Sequence, residues 1–396
     1  MENADKMSSV LIVANDFPFP PNHGASADMW ERLLVFKGLG IQVDLLASVR
    51  EMPDEDALRT VRDQVRNMWI VPRRRGLGSF LSLTPFQVRS RADLKNANTR
   101  SDYDAVVLEA EHVGAFLQNP AAQHTRLILR IHNDEARYFR ELAMGSGPLW
   151  KKIFYAVESF KFRAFSPYVQ RTCDALWFIS DFERREYLRV HSEDAKKAIF
   201  LPPHVRIDSM RPFCAKNETA LFVGTLTIPH NADAISWYIS EIHPLLSESE
   251  GYSFVVAGRA GGNPITDLKV RIQGCGNIAL IEDPIELGEI YEQSGVFVNP
   301  VRRGAGVKLK IIHALAAGLP VVSTSAGVEG TGLEHNRHIL IADSSAQFAS
   351  CVRELLGNRR KAEFLVRNAQ EFLAAKYDTR TNLERAMPEV FCPSAE

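Results

Sequence analysis

The sequence predicts an α/β protein made of two Rossmann-like domains with a cleft between them. Three observations lead to this prediction. Short apolar runs rich in Val, Ile and Leu alternate with longer amphipathic segments. The alternation stops once, at a stretch rich in proline and polar residues, and then starts again. The chain has 396 residues, enough for about two or three domains.

The first half of the chain contains six runs that predict strands buried on both faces. These runs are 10–15, 41–48, 67–72, 104–110, 126–132 and 174–180. A helix is predicted after the first strand, in SADMWERLLVFKGLG, which begins at a cap residue, Ser26, and ends at glycine. Strands that alternate with helices in this way predict a parallel, doubly wound sheet.

The second half repeats the pattern with six more predicted strands. They are 219–226, 252–259, 277–283, 295–301, 319–324 and 338–343. The joint, LPPHVRIDSMRPFCAKNET, places the domain boundary near residues 203–217. We therefore predict an N-terminal domain over 1–205, a C-terminal domain over 206–380 and a tail over 381–396. Folds of this kind bind ligands at the carboxyl ends of their strands.

Composition narrows the class of protein. Apolar residues make up 45% and charged residues 24%, as in a soluble globular protein, and a net charge of -1 gives no support to nucleic-acid binding. The five cysteines are never spaced as C-x-x-C, which argues against a disulfide framework or a zinc site and favours a reducing compartment. We find no signal peptide and no membrane-spanning apolar run, so we expect a cytoplasmic protein.

The segment VFVNPVRRGAGVKLKIIHALAAG carries the strongest signal for a ligand. Gly304 and Gly306 allow a ligand to approach the backbone, and helical spacing predicts a helix over 307–317. The start of that helix would present free N–H groups and the positive end of a dipole, which favours phosphate. Lys308 or Lys310 could add a full charge. The alternative is a tight strand–helix turn with solvated lysines.

A second glycine turn, NDFPFPPNHGASADMWERLL, follows the first predicted strand. Gly24 opens this turn toward the predicted cleft, and His23 is either a cleft residue or an exposed loop residue. The turn is neither G-x-G-x-x-G nor G-x-x-x-x-G-K-[ST], which argues against a dinucleotide cofactor and against an ATPase.

Polar residues also follow two other predicted strands of the first half. His132 comes after the fifth strand, where it should point into the predicted cleft. Asp134 stands at a predicted helix start, and we predict that it caps the helix. Glu111 and His112 follow the fourth strand, as site residues or as a surface pair.

These pieces resemble family-4 glycosyltransferases of the GT-B fold, above all bacterial enzymes of polysaccharide and glycoconjugate assembly. The C-terminal resemblance lies in FVGTLTIPHNADAISWY, VVAGR and VFVNPVRRGAGVKLKIIHALAAGLPVVSTSAGVEG. The N-terminal half agrees in PPNHGASADMWERLLVFKGLGIQVDLL and LRIHNDEARYF. The resemblance covers nearly the whole chain and is strongest over residues 219–330.

The resemblance implies a set of site residues, with acceptor bound by the N-terminal half and nucleotide sugar by the C-terminal half. Those implied for the donor phosphates are Gly24, Gly304, Ala305, Gly306, Val307, Lys308 and Lys310. His132 would bind the donor sugar as the catalytic candidate, and His313 would face the ribose. The nucleotide base would lie near Ile281, Glu282 and Asp283.

The resemblance also implies retaining transfer of a sugar from a nucleoside diphosphate to a polysaccharide, lipid-linked or other glycoconjugate acceptor, with no metal and no cofactor. Two glutamates usual in the family are replaced by Ala305 and His313, and an arginine–lysine pair usual after the first C-terminal strand is absent. Two alternatives therefore stay open: a catalytically silent relative that binds a nucleotide sugar or a partner, and a sugar-nucleotide epimerase.

The segment 57–100 is strongly basic, with ten Lys or Arg residues against Asp63 and Asp93. Its stretch RRRGLGSFLSLTPF mixes that charge with Leu and Phe. Such a mixture suits an anionic bilayer surface or a lipid-diphosphate acceptor, and predicts peripheral contact with the inner face of a membrane. The alternative is an ordinary solvated face.

Overall fold

The protein folds around two parallel β-sheets covered by helices. The computed structural model describes residues 8–21, 24–74, 82–145, 148–205, 210–213, 217–262, 265–284, 286–304 and 306–391. The predicted α/β class, with two Rossmann-like sheets, is confirmed.

The first sheet has seven strands. They are β1 (Ser9–Ala14), β2 (Gln42–Val49), β3 (Asn67–Pro72), β4 (Ala105–Glu109), β5 (Arg126–Ile131), β6 (Ala175–Phe178) and β7 (Ala198–Phe200). All pairs are parallel, in the order β3-β2-β1-β4-β5-β6-β7. The six predicted strands are present. The short strand β7 was not predicted, because three residues are too few to show a pattern.

The second sheet has six strands, all of them predicted. They are β8 (Thr219–Val223), β9 (Ser253–Gly258), β10 (Ile278–Glu282), β11 (Val296–Asn299), β12 (Val321–Ser323) and β13 (Leu340–Ile341). Their order is β10-β9-β8-β11-β12-β13, again with parallel pairs throughout.

Helices connect the strands. The first six are α1 (Gly24–Gly38), α2 (Glu55–Arg62), α3 (Phe86–Arg89), α4 (Glu135–Met144), α5 (Leu149–Thr172) and α6 (Asp181–Val190). The others are α7 (Pro229–Trp237), α8 (His243–Leu246), α9 (Thr266–Ile272), α10 (Gly288–Glu292), α11 (Leu309–Ala316), α12 (Ser325–Val328), α13 (Ser345–Gly357), α14 (Arg359–Lys376) and α15 (Thr379–Phe391). Short 3-10 turns occur at Ala92–Asn96, Glu111–Gln118, Pro120–Ala122 and Ser192–Asp194, and a π turn at Tyr238–Ile242.

Side-chain caps explain where several helices begin. Asp54 accepts a hydrogen bond from the N–H of Ala57 at 2.7 Å, at the start of α2. Asp134 accepts one from the N–H of Arg137 at 2.9 Å, so the predicted cap of α4 is confirmed. The start of α1 differs from the prediction: the helix begins at Gly24, and Ser26 is buried in its first turn.

Contacts divide the chain into two compact units. The first unit contains residues 1–139, 155–204 and 379–396, and the second contains 140–154 and 205–378. Helix α5 therefore starts in the second unit and ends in the first. The last described residues form α15, whose Leu383 is fully buried in the core of the first unit.

Each sheet has an apolar core on both faces. In β1, Val10 and Ile12 belong to one buried cluster, while Leu11 and Val13 belong to another. Successive side chains of a strand point to opposite faces, so a strand covered on both sides has to be apolar throughout. No helix among the described residues is long and apolar enough to cross a lipid bilayer.

Near the carboxyl ends of β4 and β5 in the first unit, a group of buried charged side chains lies in mutual contact: Asp28, Arg32, Glu109 and Arg130. Arg32 donates hydrogen bonds to Asp28, with Nη1 and Oδ2 2.7 Å apart, and to Glu109. Arg130 donates to Asp28 at 3.0 Å and to the carbonyl of Leu201. We call these four side chains the buried charge cluster. It ties α1 to β4, β5 and the segment that follows β7.

Both acids of the buried charge cluster are ionised. Burial by itself would raise the pKa of Asp28, but the charges of Arg130 and Arg32 outweigh it and hold that pKa well below its usual range. Burial also acts to raise the pKa of Glu109, and Arg32 together with His132 lowers it overall. Burial lowers the pKa of Arg130 to about 10 although Asp28 opposes this, so Arg130 stays charged at neutral pH.

Replacing Arg32 by Met is expected to lower the free energy of unfolding by about 3–5 kcal/mol, because two buried carboxylates lose a partner. Urea unfolding, followed by circular dichroism and tryptophan fluorescence, measures this loss. The matched control is Arg59→Met on α2. The Arg59 side chain is 73% exposed, and its ion pair should contribute less than about 1 kcal/mol. Equal losses in the two variants would contradict a stabilising role for the cluster.

Candidate functional site

The glycine loop follows β11 and leads into α11, as predicted. Gly304 has a φ of +128° and Gly306 a φ of +81°, and both residues are buried. Side chains rarely adopt these backbone angles, so the shape of the loop requires glycine at both positions. Ala305 lies outside the described residues. The helix itself begins at Leu309, two residues after the predicted start.

Lys308 closes this loop from the inside. Its Nζ donates hydrogen bonds to the carbonyl oxygens of Gly304 and Gly306, both at 2.7 Å. Only 7% of the residue is exposed. The prediction of a solvated lysine is therefore wrong at this position, since a buried ammonium group holds the loop in shape.

Lys310 lies against β8 and α7. Its Nζ donates to Oδ1 of Asn231 at 2.8 Å and lies 4.3 Å from the ring centroid of Phe222. Burial lowers the pKa of Lys310 well below its usual range, and the nearby charge of Lys308 lowers it further. An anion bound here would reverse this effect by favouring the charged amine.

His230 adds a third nitrogen group to this site. Burial lowers its pKa to about 3, and the charges of Lys310 and Lys308 add to that effect, so the ring is neutral at physiological pH. Its Cγ lies 3.6 Å from the position that a Cβ of Gly304 would occupy. Sequence reasoning missed His230 and Asn231. The one signal was their place in TIPHNAD, where the family usually has an arginine and a lysine.

The other predicted donor residues of the second unit occupy three places. Val307 is half-buried in the loop before α11. His313 is half-buried on α11, and burial lowers its pKa, which favours the neutral ring. The three residues predicted near the nucleotide base are on the edge strand β10 and just after it.

At that edge, both acidic side chains already have partners. Glu282 pairs with Lys269 at 2.8 Å. Asp283 has a φ of +47° and accepts hydrogen bonds from the N–H groups of Ala260 and Gly261, at 2.9 and 3.1 Å. Asp283 therefore fixes the loop that follows β9. The third of these residues, Ile281, is half-buried.

His132 follows β5 in the first unit, as predicted. Its Nε2 lies 3.1 Å from Oε2 of Glu109, and the other oxygen of that carboxylate accepts from Arg32. An ionised carboxylate only accepts hydrogen bonds, so Nε2 of His132 carries the hydrogen. The buried charge cluster thereby fixes the orientation of the ring. Sequence reasoning missed Glu109, because it lies within the predicted strand 104–110.

Gly24 is half-buried at the first position of α1, four residues before Asp28 of the buried charge cluster. The helix that carries Gly24 is thus held by the same charges that orient His132. His23 lies outside the described residues.

Glu111 and His112 are not a surface pair. Glu111 is 1% exposed, and burial, together with the charge of Glu135, raises its pKa to about 8. His112 lies against Glu135, with Nε2 and Oε2 3.2 Å apart. The surface interpretation is wrong, because the turn after β4 folds inward.

The basic segment 57–100 is largely engaged within the first unit. Arg66 binds Asp44 through two hydrogen bonds of 2.8 and 2.9 Å. Arg73 bonds to the carbonyl of Asn15, and Arg74 to Asp93. Arg91 is buried and Arg100 bonds to Asp102. These arginines hold loops together, and they do not form one open basic face. Arg75 lies outside the described residues.

A comparison with protein families finds a match to the family described as "Glycosyl transferases group 1" over residues 217–358. These residues include β8 to β13 and the glycine loop. A curated relative, the "Uncharacterized 44.6 kDa protein in cps region" of Klebsiella pneumoniae, is 32% identical over 388 residues, which covers 94% of this chain and 97% of the relative.

A second curated relative and a solved structure resemble this chain at lower sequence identity. The GDP-mannose-dependent alpha-(1-6)-phosphatidylinositol monomannoside mannosyltransferase of Mycobacterium tuberculosis is 24% identical over 233 residues, covering 52% of this chain and 58% of the relative. The crystal structure of Anabaena Alr3699/HepE in complex with UDP and glucose has a TM-score of 0.69 at 12% identity, covering 96% of this chain and 99% of that one. Taken with the full-length relative and the family match, they identify the chain as a group 1 glycosyltransferase with the GT-B fold.

Proposed function

We propose that this glycosyltransferase moves a sugar from a nucleoside-diphosphate sugar to a polysaccharide, lipid-linked or other glycoconjugate acceptor, with retention of configuration. The main observation that supports this proposal is the glycine loop, with Lys308 and Lys310 at the start of α11. Both the mannosyltransferase and the Anabaena protein support a sugar nucleotide as donor, through the GDP-mannose and the UDP with glucose that their names give.

The diphosphate is the part of the donor that the loop suits best. The start of α11 presents the positive end of a helix dipole, which favours an anion. A bound phosphate would favour the charged form of Lys310, whose hydrogen-bond acceptor in the protein, Asn231, is neutral. Preorganised groups of this kind stabilise the charge that develops on a departing diphosphate. The proposal therefore includes no metal ion and no cofactor.

The remaining residues take supporting roles in this proposal. His132 binds a hydroxyl of the donor sugar, and Gly24 lets the backbone approach the phosphates or the sugar. A neutral His313 bonds to a ribose hydroxyl, which the lowered pKa of its ring permits. The base lies against the backbone near 281–283.

A catalytically silent nucleotide-sugar binder is the second candidate, because Ala305 and His313 replace two glutamates usual in the family. The proposed function predicts release of nucleoside diphosphate from UDP- or GDP-sugars, and faster release when a glycan or lipid-linked acceptor is added. A silent relative would bind the sugar nucleotide but would not release nucleoside diphosphate from it. An epimerase would change the sugar while leaving it attached to the diphosphate. Product analysis with and without acceptor distinguishes the three.

Replacing both Lys308 and Lys310 by Ala is expected to weaken nucleoside diphosphate binding by about 1.5–3 kcal/mol, the contribution of charged hydrogen bonds. Isothermal calorimetry with UDP and GDP measures the change. Lys361→Ala is the control, because Lys361 pairs with Glu354 at 2.6 Å elsewhere in the same unit. Unchanged affinity in a double variant that keeps its melting temperature would defeat the phosphate assignment.

Replacing His132 by Ala is expected to reduce turnover far more than affinity for free nucleoside diphosphate, because the ring is proposed to contact the sugar and not the phosphates. Turnover comes from the release assay and affinity from calorimetry. His191→Ala, at the end of α6 with a side chain 37% exposed, is the control and should change neither. Equal losses of turnover and affinity would instead assign His132 to the nucleotide pocket or to the fold.

A further inference from the structure

Among the residues that the structure describes, Lys310 has a single hydrogen-bonding partner, and that partner is neutral. Nζ of Lys310 donates to Oδ1 of Asn231 at 2.8 Å, while Nδ2 of the same amide donates to the carbonyl of Thr225, also at 2.8 Å. The bond to Thr225 fixes the amide, so that its oxygen faces the lysine. An ammonium group has three hydrogens to donate, and Asn231 accepts one of them.

The other groups around this amine are apolar or basic. The ring of Phe222, on β8, has its centroid 4.3 Å from Nζ of Lys310. The charge of Lys308 acts on Lys310 from the loop before α11, and both lysines act on His230, which lies on α7. The acid of α7, Asp233, makes no ion pair with Lys310 among the described contacts. The protein thus gives this amine a like charge and no counter-charge.

The protein by itself therefore disfavours a positive charge on Lys310. Burial and the charge of Lys308 together hold the pKa of the amine well below its usual range, because an ammonium group loses hydration there and meets a like charge. His313, one turn further along α11, is also held neutral by burial. Lys310 is half-buried, so a ligand at the loop can reach its side chain. An anionic ligand would bring the counter-charge that the protein does not supply.

We propose that the diphosphate of the donor binds at this loop together with one proton, which Nζ of Lys310 takes up from the solvent. The neutral amine becomes an ammonium group, which keeps its hydrogen bond to Asn231 and donates its other two hydrogens to phosphate oxygens. Lys308 and Lys310 then place two positive charges against the diphosphate. The proton returns to the solvent when the nucleoside diphosphate leaves. This proton uptake rests on the proposed function, because it requires a diphosphate at the loop.

Proton uptake gives nucleotide binding a pH dependence of known sign. The bound diphosphate raises the pKa of Lys310, so the affinity is highest below the pKa of the ligand-free amine, where the group is charged in both states. The affinity falls as the pH rises from there to the higher pKa of the complex. Within this range, uptake of a full proton changes the affinity by about tenfold for each pH unit.

Isothermal calorimetry of the full chain with UDP and GDP, in Tris and in Hepes at about pH 8, tests the proposal, because the terminal phosphate of the free nucleotide is fully ionised there. The two buffers differ in their enthalpy of ionisation, so the difference between the measured heats gives the number of protons taken up. We expect about 0.5–1 proton per nucleotide, and an affinity that falls about three- to tenfold for each pH unit above that.

Two variants of Lys310 separate its charge from its titration. Lys310→Arg keeps the charge, because a guanidinium group stays protonated at this pH, and should bind nucleotide without proton uptake and with a flat pH dependence. Lys310→Met removes the charge as well, and should bind more weakly, also without uptake. Lys361→Arg is the matched control: Lys361 pairs with Glu354 elsewhere in the second unit, and the variant should take up protons like the wild type. Melting temperatures show that each variant is folded.

Nucleotide binding with the same heat in both buffers would overturn the proposal, and so would proton uptake that persists in Lys310→Arg. Uptake that persists in that variant but is lost in His230→Asn would assign the proton to the imidazole. In each of these cases the proposed transfer reaction stands, provided that nucleoside diphosphate is still released from a sugar nucleotide. If neither UDP nor GDP binds and none is released, the proposed function fails, and the proton uptake fails with it.

Discussion

The buried charge cluster is the constraint on which the first unit depends. Asp28 and Arg32 lie on α1, Glu109 ends β4 and Arg130 lies in β5, so a single set of ion pairs holds three elements in register. Taking such charges out of water is costly, and a well-packed apolar core could be equally stable. The charged groups also fix the orientation of the side chains, because each hydrogen bond fixes an angle as well as a distance. The hydrogen bond to Glu109 orients the ring of His132 in the same way.

The second unit uses a different device for the same purpose. Its loop is held by the ammonium group of Lys308 and by backbone carbonyls, with no carboxylate needed for the bonds described. Carbonyl dipoles satisfy a cation without cancelling its charge. Burial is the main cause of the lowered pKa values of Lys310 and His230, and the positive charge of Lys308 lowers both further.

Apolar runs predicted twelve of the thirteen strands that the described residues form, because strands buried on both faces have to be apolar throughout. The glycine loop and its lysines were also visible, since left-handed turns need glycine. The hydrogen-bonding partners of these groups could not be predicted from the sequence. Asn231 reaches Lys310 across 79 residues, and Glu109 reads as the last residue of a strand.

The bond between Glu109 and His132 has a consequence for the choice of ligand. Since Nε2 donates a hydrogen bond to the carboxylate, Nδ1 can only accept a hydrogen bond whenever the ring carries a single hydrogen. A nitrogen that only accepts hydrogen bonds does not attract an unprotonated phosphate oxygen, but it can accept a hydrogen bond from an alcohol. In the proposed function, the hydrogen bond between Glu109 and Nε2 would therefore make the imidazole prefer a sugar hydroxyl to the phosphates of the same molecule.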